Sequence, residues 1–128
     1  RIDLHVEVTP VSFDELSSEA NEEPSHSIRK RVMEARGIQS KRFLENTNLH
    51  CNAQLDGRLM KSCCSINAAS LNLLKKAMDK FNLSGRAYDR ILKVSRTIAD
   101  LDNSDEITIK HLAEAIQFRS LDREDWAG

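Results

Sequence analysis

Three consecutive stretches place apolar residues at spacings of three and four directly behind a capping residue, which commits much of this sequence to packed α-helices. Behind Asn67, the residues Leu71, Leu74, Met78 and Phe81 form one stripe up to about Asn82, with Lys75, Lys76, Asp79 and Lys80 facing out. Behind Ser84, a helix from Gly85 to about Asp102 turns by about 100° per residue. It puts Tyr88, Ile91, Leu92, Ser95, Ile98 and Ala99 on one side and Arg86, Arg90, Lys93 and Thr97 nearly opposite. Asn103 and Ser104 break the chain, and Thr108 caps a last helix with Ile109, Leu112, Ala113 and Ile116 inward, after which Leu121 and Trp126 trail.

The rest of the chain organises around this bundle. Ser25 or Ser27 caps a further helix whose apolar positions are Ile28, Val32 and Ala35, continued by Gln39 and Phe43, with Arg29, Lys30, Arg31, Arg36, Lys41 and Arg42 around them. Gly37 weakens its middle by about 1 kcal/mol relative to alanine. Residues 45–54 read as an Asn-rich loop, and a short helix over Asp56 to Cys64 presents Leu55, Leu59, Met60 and Cys63. At the front, Ile2, Leu4, Val6 and Val8 alternate with Asp3, His5 and Glu7, the period-two pattern of a half-buried strand. One strand cannot satisfy its own backbone, so this pattern predicts a sheet upstream of Arg1, in a longer polypeptide. Pro10 ends the strand, and the acidic, polar stretch to Pro24 reads as a linker. The expected layout is mainly α: residues 1–9 a terminal strand, 10–25 a flexible linker, and 26–128 a bundle of four longer helices and one short one.

Composition removes several function classes. The 128 residues carry 19 Lys plus Arg against 20 Asp plus Glu, so no overall basic field gathers nucleic acid, and any polyanion site must be a local cluster. No apolar run approaches the roughly 20 residues that cross a bilayer, and no signal segment opens the chain, which predicts a cytoplasmic protein without a membrane partner. Cys51, Cys63 and Cys64 are odd in number, two of them adjacent, as expected of a reducing compartment. The spacing of His50-Cys51 and Cys63-Cys64 matches no usual zinc pattern, so no metal site is expected. His5, His26 and His111 read as surface residues.

The most informative segment is Leu83-Ser84-Gly85-Arg86-Ala87-Tyr88-Asp89-Arg90. Arg86 falls in the first turn of its helix, where the amide ends make a positive field that disfavours a cation but, together with a guanidinium, suits phosphate oxygens. The plainer alternative is a solvated face of Arg86, Arg90 and Lys93, with Asp89 and Lys93 pairing at four-residue spacing.

This segment, continued as Ile91-Leu92-Lys93-Val94-Ser95-Arg96-Thr97-Ile98-Ala99-Asp100-Leu101, resembles the lid signature of magnesium-chelatase-like AAA+ ATPases of the ComM-type competence group. Arg1 to Val8, Cys51-Asn52-Ala53-Gln54-Leu55 and the stretch from His111 to Arg123 agree with it in order. The resemblance implies that Arg86 is the sensor-2 arginine that reaches from a lid helix toward the γ-phosphate of ATP, with Arg90 beside it in nucleotide binding. It also implies that Arg1 is an arginine finger entering the site of a neighbouring subunit, a role that can be worth several powers of ten in rate.

The chain holds no Gly-x-x-x-x-Gly-Lys-Ser/Thr loop, so by itself it is not expected to hydrolyse ATP, and free nucleotide should bind it at about millimolar or worse. ATP and Mg²⁺ are expected cofactors of the whole protein and of no part of this chain alone. The expected partners are an upstream AAA+ core of the same polypeptide, neighbouring subunits of a homo-oligomeric ring, and DNA as the remodelled substrate. Two other readings stay open: a non-enzymatic helical module that binds a protein or DNA through its basic faces, and the lid of a porphyrin magnesium-chelatase subunit.

Overall fold

The computed structural model describes residues 4–6, 8, 12, 22–45 and 48–119, and it is helical throughout its regular parts. The helices are α1 (Ser25–Arg42), α2 (Gly57–Cys63), α3 (Ala68–Phe81), α4 (Gly85–Leu101) and α5 (Ile109–Gln117), with one 3-10 turn at Asn52–Gln54 between α1 and α2. Among the described residues there are thus four longer helices and one short one, and no strand. Most of the expected strand and of the linker lies outside the described residues. Of the strand, Leu4 to Val6 and Val8 are described, and the His5 N–H donates to the Phe118 carbonyl at 2.8 Å, behind the end of α5.

Local chemistry accounts for the ends. Asp56 accepts from the Arg58 and Leu59 amides at 3.1 and 3.0 Å, Asn67 from Ser70 at 2.8 Å, and Ser84 from Ala87 at 3.3 Å. At the far ends of α3 and α4, Asn82 and Asn103 take φ of 50° and 54°, the left-handed backbone that asparagine tolerates better than other non-glycine residues. Leu83 N–H then returns to Met78 and Ser104 N–H to Ala99, the six-to-one closure that satisfies terminal carbonyls. α1 departs from the expected start, because Pro24 stands at its cap and both Ser25 and Ser27 lie inside the helix.

Packing is centred on α4, which meets α1, α2, the 3-10 turn and α5, while α3 packs on α5. Leu74, Ile91, Ala99, Leu112 and Ala115 are fully buried. Burying a leucine or isoleucine outright contributes roughly 1.5–3 kcal/mol relative to leaving it exposed. Three stripes sit rotated from the sequence expectation. α3 buries Ser70, Leu74 and Ala77 and leaves Leu71 exposed; α5 buries His111, Leu112, Ala115 and Ile116 and leaves Ile109 and Ala113 exposed. On α3 the buried face thus includes the small Ser70 and Ala77, and the larger Leu71, one step round the helix, stands outward. α1 buries only Ala35 and Gln39, so Ile28 and Val32, expected inward, stand 44% and 41% exposed on a first half that no described element covers.

Candidate functional site: the two ends of α4

The head of α4 is built by its cap. Ser84 closes the first turn onto the Ala87 amide, which leaves other first-turn amides without helical acceptors and a partial positive charge at that end. Arg86 is the second residue of the helix and is exposed; Arg90, one turn on, is half-buried. The structure therefore brings these two predicted residues onto neighbouring turns of one face. Arg1 lies outside the described residues, as do Leu121 and Trp126.

The tail of the same helix is a buried polar junction. The Asp100 carboxylate, with its side chain fully buried, receives both guanidinium nitrogens of Arg42, at 2.7 and 2.8 Å. Asn52 donates to the same carboxylate at 2.9 Å and to Thr97 Oγ1 at 3.1 Å, and accepts from Arg42 at 3.0 Å. Its own N–H donates to Gln39 Oε1 at 2.9 Å. Arg96 sits 3.2 Å from Asp100 and spends its terminal nitrogens on the Ser104 and Asp105 carbonyls at 2.7 and 2.9 Å, pinning the loop into α5. The bonded carboxylate of Asp100 holds the Arg42 guanidinium charged, raising its pKa against the opposing effect of burial.

This junction corrects several expectations. Arg42 is not a free cation on a solvated face, and residues 45–54 are not merely loop, since Asn52–Gln54 form a 3-10 turn in which Asn52 is 1% exposed. Lys93 and Thr97 do not face away from the molecule: Lys93 reaches the Ala53 carbonyl at 3.2 Å and Thr97 meets Asn52. Arg96 and Asp100 are buried residues of α4, which the count of apolar positions could not show. Their signal in the sequence is an opposite-charge pair four residues apart that continues the row of Leu92 down the helix.

His111, expected at the surface, is 2% exposed. Its Nδ1 accepts from the Thr108 amide at 3.0 Å, which leaves the proton on Nε2 to donate to Asp102 at 2.8 Å. That hydrogen bond, helped by the nearby Lys110 ammonium, holds the Asp102 carboxyl below the usual carboxylate range. All three cysteines are free thiols, and burial, then the adjoining Cys63, pushes the Cys64 thiol up to about 11, which suits a packing residue rather than a ligand. Among the described residues no three His, Cys, Asp or Glu side chains gather as a metal site, and no helix is long and apolar enough to cross a membrane.

The family described as magnesium chelatase, subunit ChlI C-terminal, matches residues 22–119, which take in every helix and both ends of α4. The chain belongs to this family. Among curated relatives of this magnesium-chelatase-type C-terminal domain is the competence protein ComM of Haemophilus influenzae, 39% identical over 124 residues, which are 96% of this chain and 23% of that protein. The uncharacterized protein YifB of Escherichia coli is 42% identical over 101 residues, 79% of this chain and 19% of the relative. YifB of Salmonella typhimurium is 36% identical over 124 residues, 96% of this chain and 24% of the relative. The domain thus spans about a quarter of the length of these relatives. Chemically, its two ends of α4 differ in kind: the tail has its charges engaged with one another, and the head carries an exposed guanidinium, that of Arg86.

Proposed function

We propose that this domain is the helical lid of a magnesium-chelatase-like AAA+ ATPase of the cytoplasm, which closes over ATP and couples its hydrolysis to remodelling a substrate. The observation that carries the reading is Arg86, exposed in the first turn of a helix whose other end is clamped into the bundle. A guanidinium on a helix head is suited to an anion, because both supply hydrogen-bond donors and positive charge in one place. Arg86 is assigned as the sensor-2 contact to the γ-phosphate, and Arg90 as its neighbour at the nucleotide. Mg²⁺ and the attacking water are assigned to the upstream core, since the described residues gather no carboxylate site for the ion. When bound, ATP with Mg²⁺ supplies the phosphoryl group to be transferred; the domain binds and orients it and excludes water from that side. Arg1 is assigned as the finger reaching a neighbouring subunit of a homo-oligomeric ring.

DNA is the substrate we favour, because one of the curated relatives is named a competence protein. The family description supports a second reading, a lid that drives metal insertion into a porphyrin. The nucleotide assignment is tested by titrating the intact protein with a non-hydrolysable ATP analogue and with ADP. Arg86→Ala should weaken the triphosphate by about 10- to 100-fold, the worth of a charge-assisted hydrogen bond, and leave ADP unchanged. Equal losses for both nucleotides would remove the γ-phosphate role. Micromolar binding of the present chain alone to duplex DNA would favour a plain binding module instead.

A further inference from the structure

We propose that Arg42, Asn52 and Asp100 form a rigid joint that makes α1 and α4 a single lever, and that they act as positioning residues for Arg86. The inference rests on the lid reading. α1 is the first helix of the bundle along the chain, whereas α4 carries the guanidinium assigned to the phosphate, so the angle between these helices bears on where Arg86 points.

Apolar packing fixes that angle poorly. Within α1 only Ala35 and Gln39 are buried, with Phe43 just beyond its end, and one of these three is an amide. The polar junction supplies what is missing. Residues 58 apart in sequence meet as a planar two-point fork between Arg42 and Asp100, a geometry that sets both distance and orientation. Asn52 is the keystone: it is tied to α1 through Gln39 and Arg42 and to α4 through Thr97 and Asp100, using its N–H, its amide NH₂ and its carbonyl. Stability alone would not call for such an arrangement, because well-packed apolar residues of similar volume usually do as well as a buried ion pair. What the fork adds is a fixed register between two helices, and the helix so registered bears Arg86 at its far end.

The test is a double-mutant cycle on ATP hydrolysis by the intact protein, with Arg42→Lys and Arg86→Ala singly and together. Lysine keeps the positive charge beside Asp100 but cannot form the fork. Arg42→Lys should lower kcat by about three- to tenfold and raise KM for ATP by no more than a few-fold, well short of the weakening of about 10- to 100-fold expected of Arg86→Ala, since a displaced group costs rate more than binding. In the Arg86→Ala background the same change should have no further effect, because there is no guanidinium left to position. A mere loss of folded protein would instead lower both backgrounds by the same factor. Independent, multiplying effects, or an unchanged kcat in Arg42→Lys, overturn the joint while leaving the lid reading in place. An unchanged kcat in Arg86→Ala overturns both. If Arg42→Lys does not fold, Gln39→Leu removes the other tie from α1 to Asn52 at near-constant size, and the same cycle is expected with a smaller amplitude.

Discussion

The two ends of α4 carry the same kinds of side chain and do opposite things with them. At the tail, Arg96 is 4% exposed and Asp100 1%, and the carboxylate accepts three hydrogen bonds and pairs with Arg96 at 3.2 Å. At the head, Arg86 stands exposed behind a serine cap. A charge that is desolvated and paired cannot leave its partners cheaply, so it belongs to the architecture. An exposed guanidinium held on a rigid helix is available to an incoming anion. The lesson is that a dense run of charged residues in one helix is not one site, and burial separates those that build the domain from those that can serve its chemistry.

The largest expected effect that could break this contrast is at the tail. Asp100→Ala leaves two guanidinium groups without their counter-charge and should cost about 3–5 kcal/mol in a denaturant titration of this chain; a loss below about 1 kcal/mol would mean the junction is not held as described. At the head the structural contribution should come from the cap, so Ser84→Ala is expected to cost about 1 kcal/mol by the same titration. A subtler effect sits just past the tail. Because the folded pKa of Asp102 is depressed, its contribution to stability is complete above the unfolded carboxyl pKa of about 4 and is lost as pH falls through the lower folded value. Asp102→Asn should therefore flatten that part of the acid limb in a stability–pH series and leave its neutral region parallel to the parent. Smallest of all, Arg86→Ala should change the unfolding free energy by less than about 0.5 kcal/mol, as at an ordinary surface position.

The helices and most of their ends were legible because local chemistry determines them, the start of α1 behind Pro24 being the exception. Asn67 and Ser84 cap as the spacing predicts, Thr108 stands at the head of α5, and Asn82 and Asn103 close α3 and α4. Rotation about each helix axis was less legible. A stripe of large apolar residues marks a face only to within one step: Ala77 and Ala115 are buried, whereas Leu71 and Ile109 stand exposed. The polar junction was not legible, since it joins Gln39, Arg42, Asn52, Thr97 and Asp100 across a span that no periodicity relates. His111 was misjudged for a related reason: one ring closes its own helix terminus and reaches Asp102 nine residues back, which hides it from solvent. Of the expected site, Arg86 and Arg90 are placed on one face of α4, and Arg1 lies outside the described residues.

The claim on which the rest depends is that the exposed guanidinium at the head of α4 works on nucleotide in the intact protein. Its most direct measurement is the steady-state rate of ATP hydrolysis by Arg86→Ala, scaled to correctly folded protein. The account predicts a fall of about 10²-fold or more, the size expected when a preorganised donor to the transferring phosphoryl group is removed. A rate equal to that of the parent would contradict it and return Arg86 to the solvated surface.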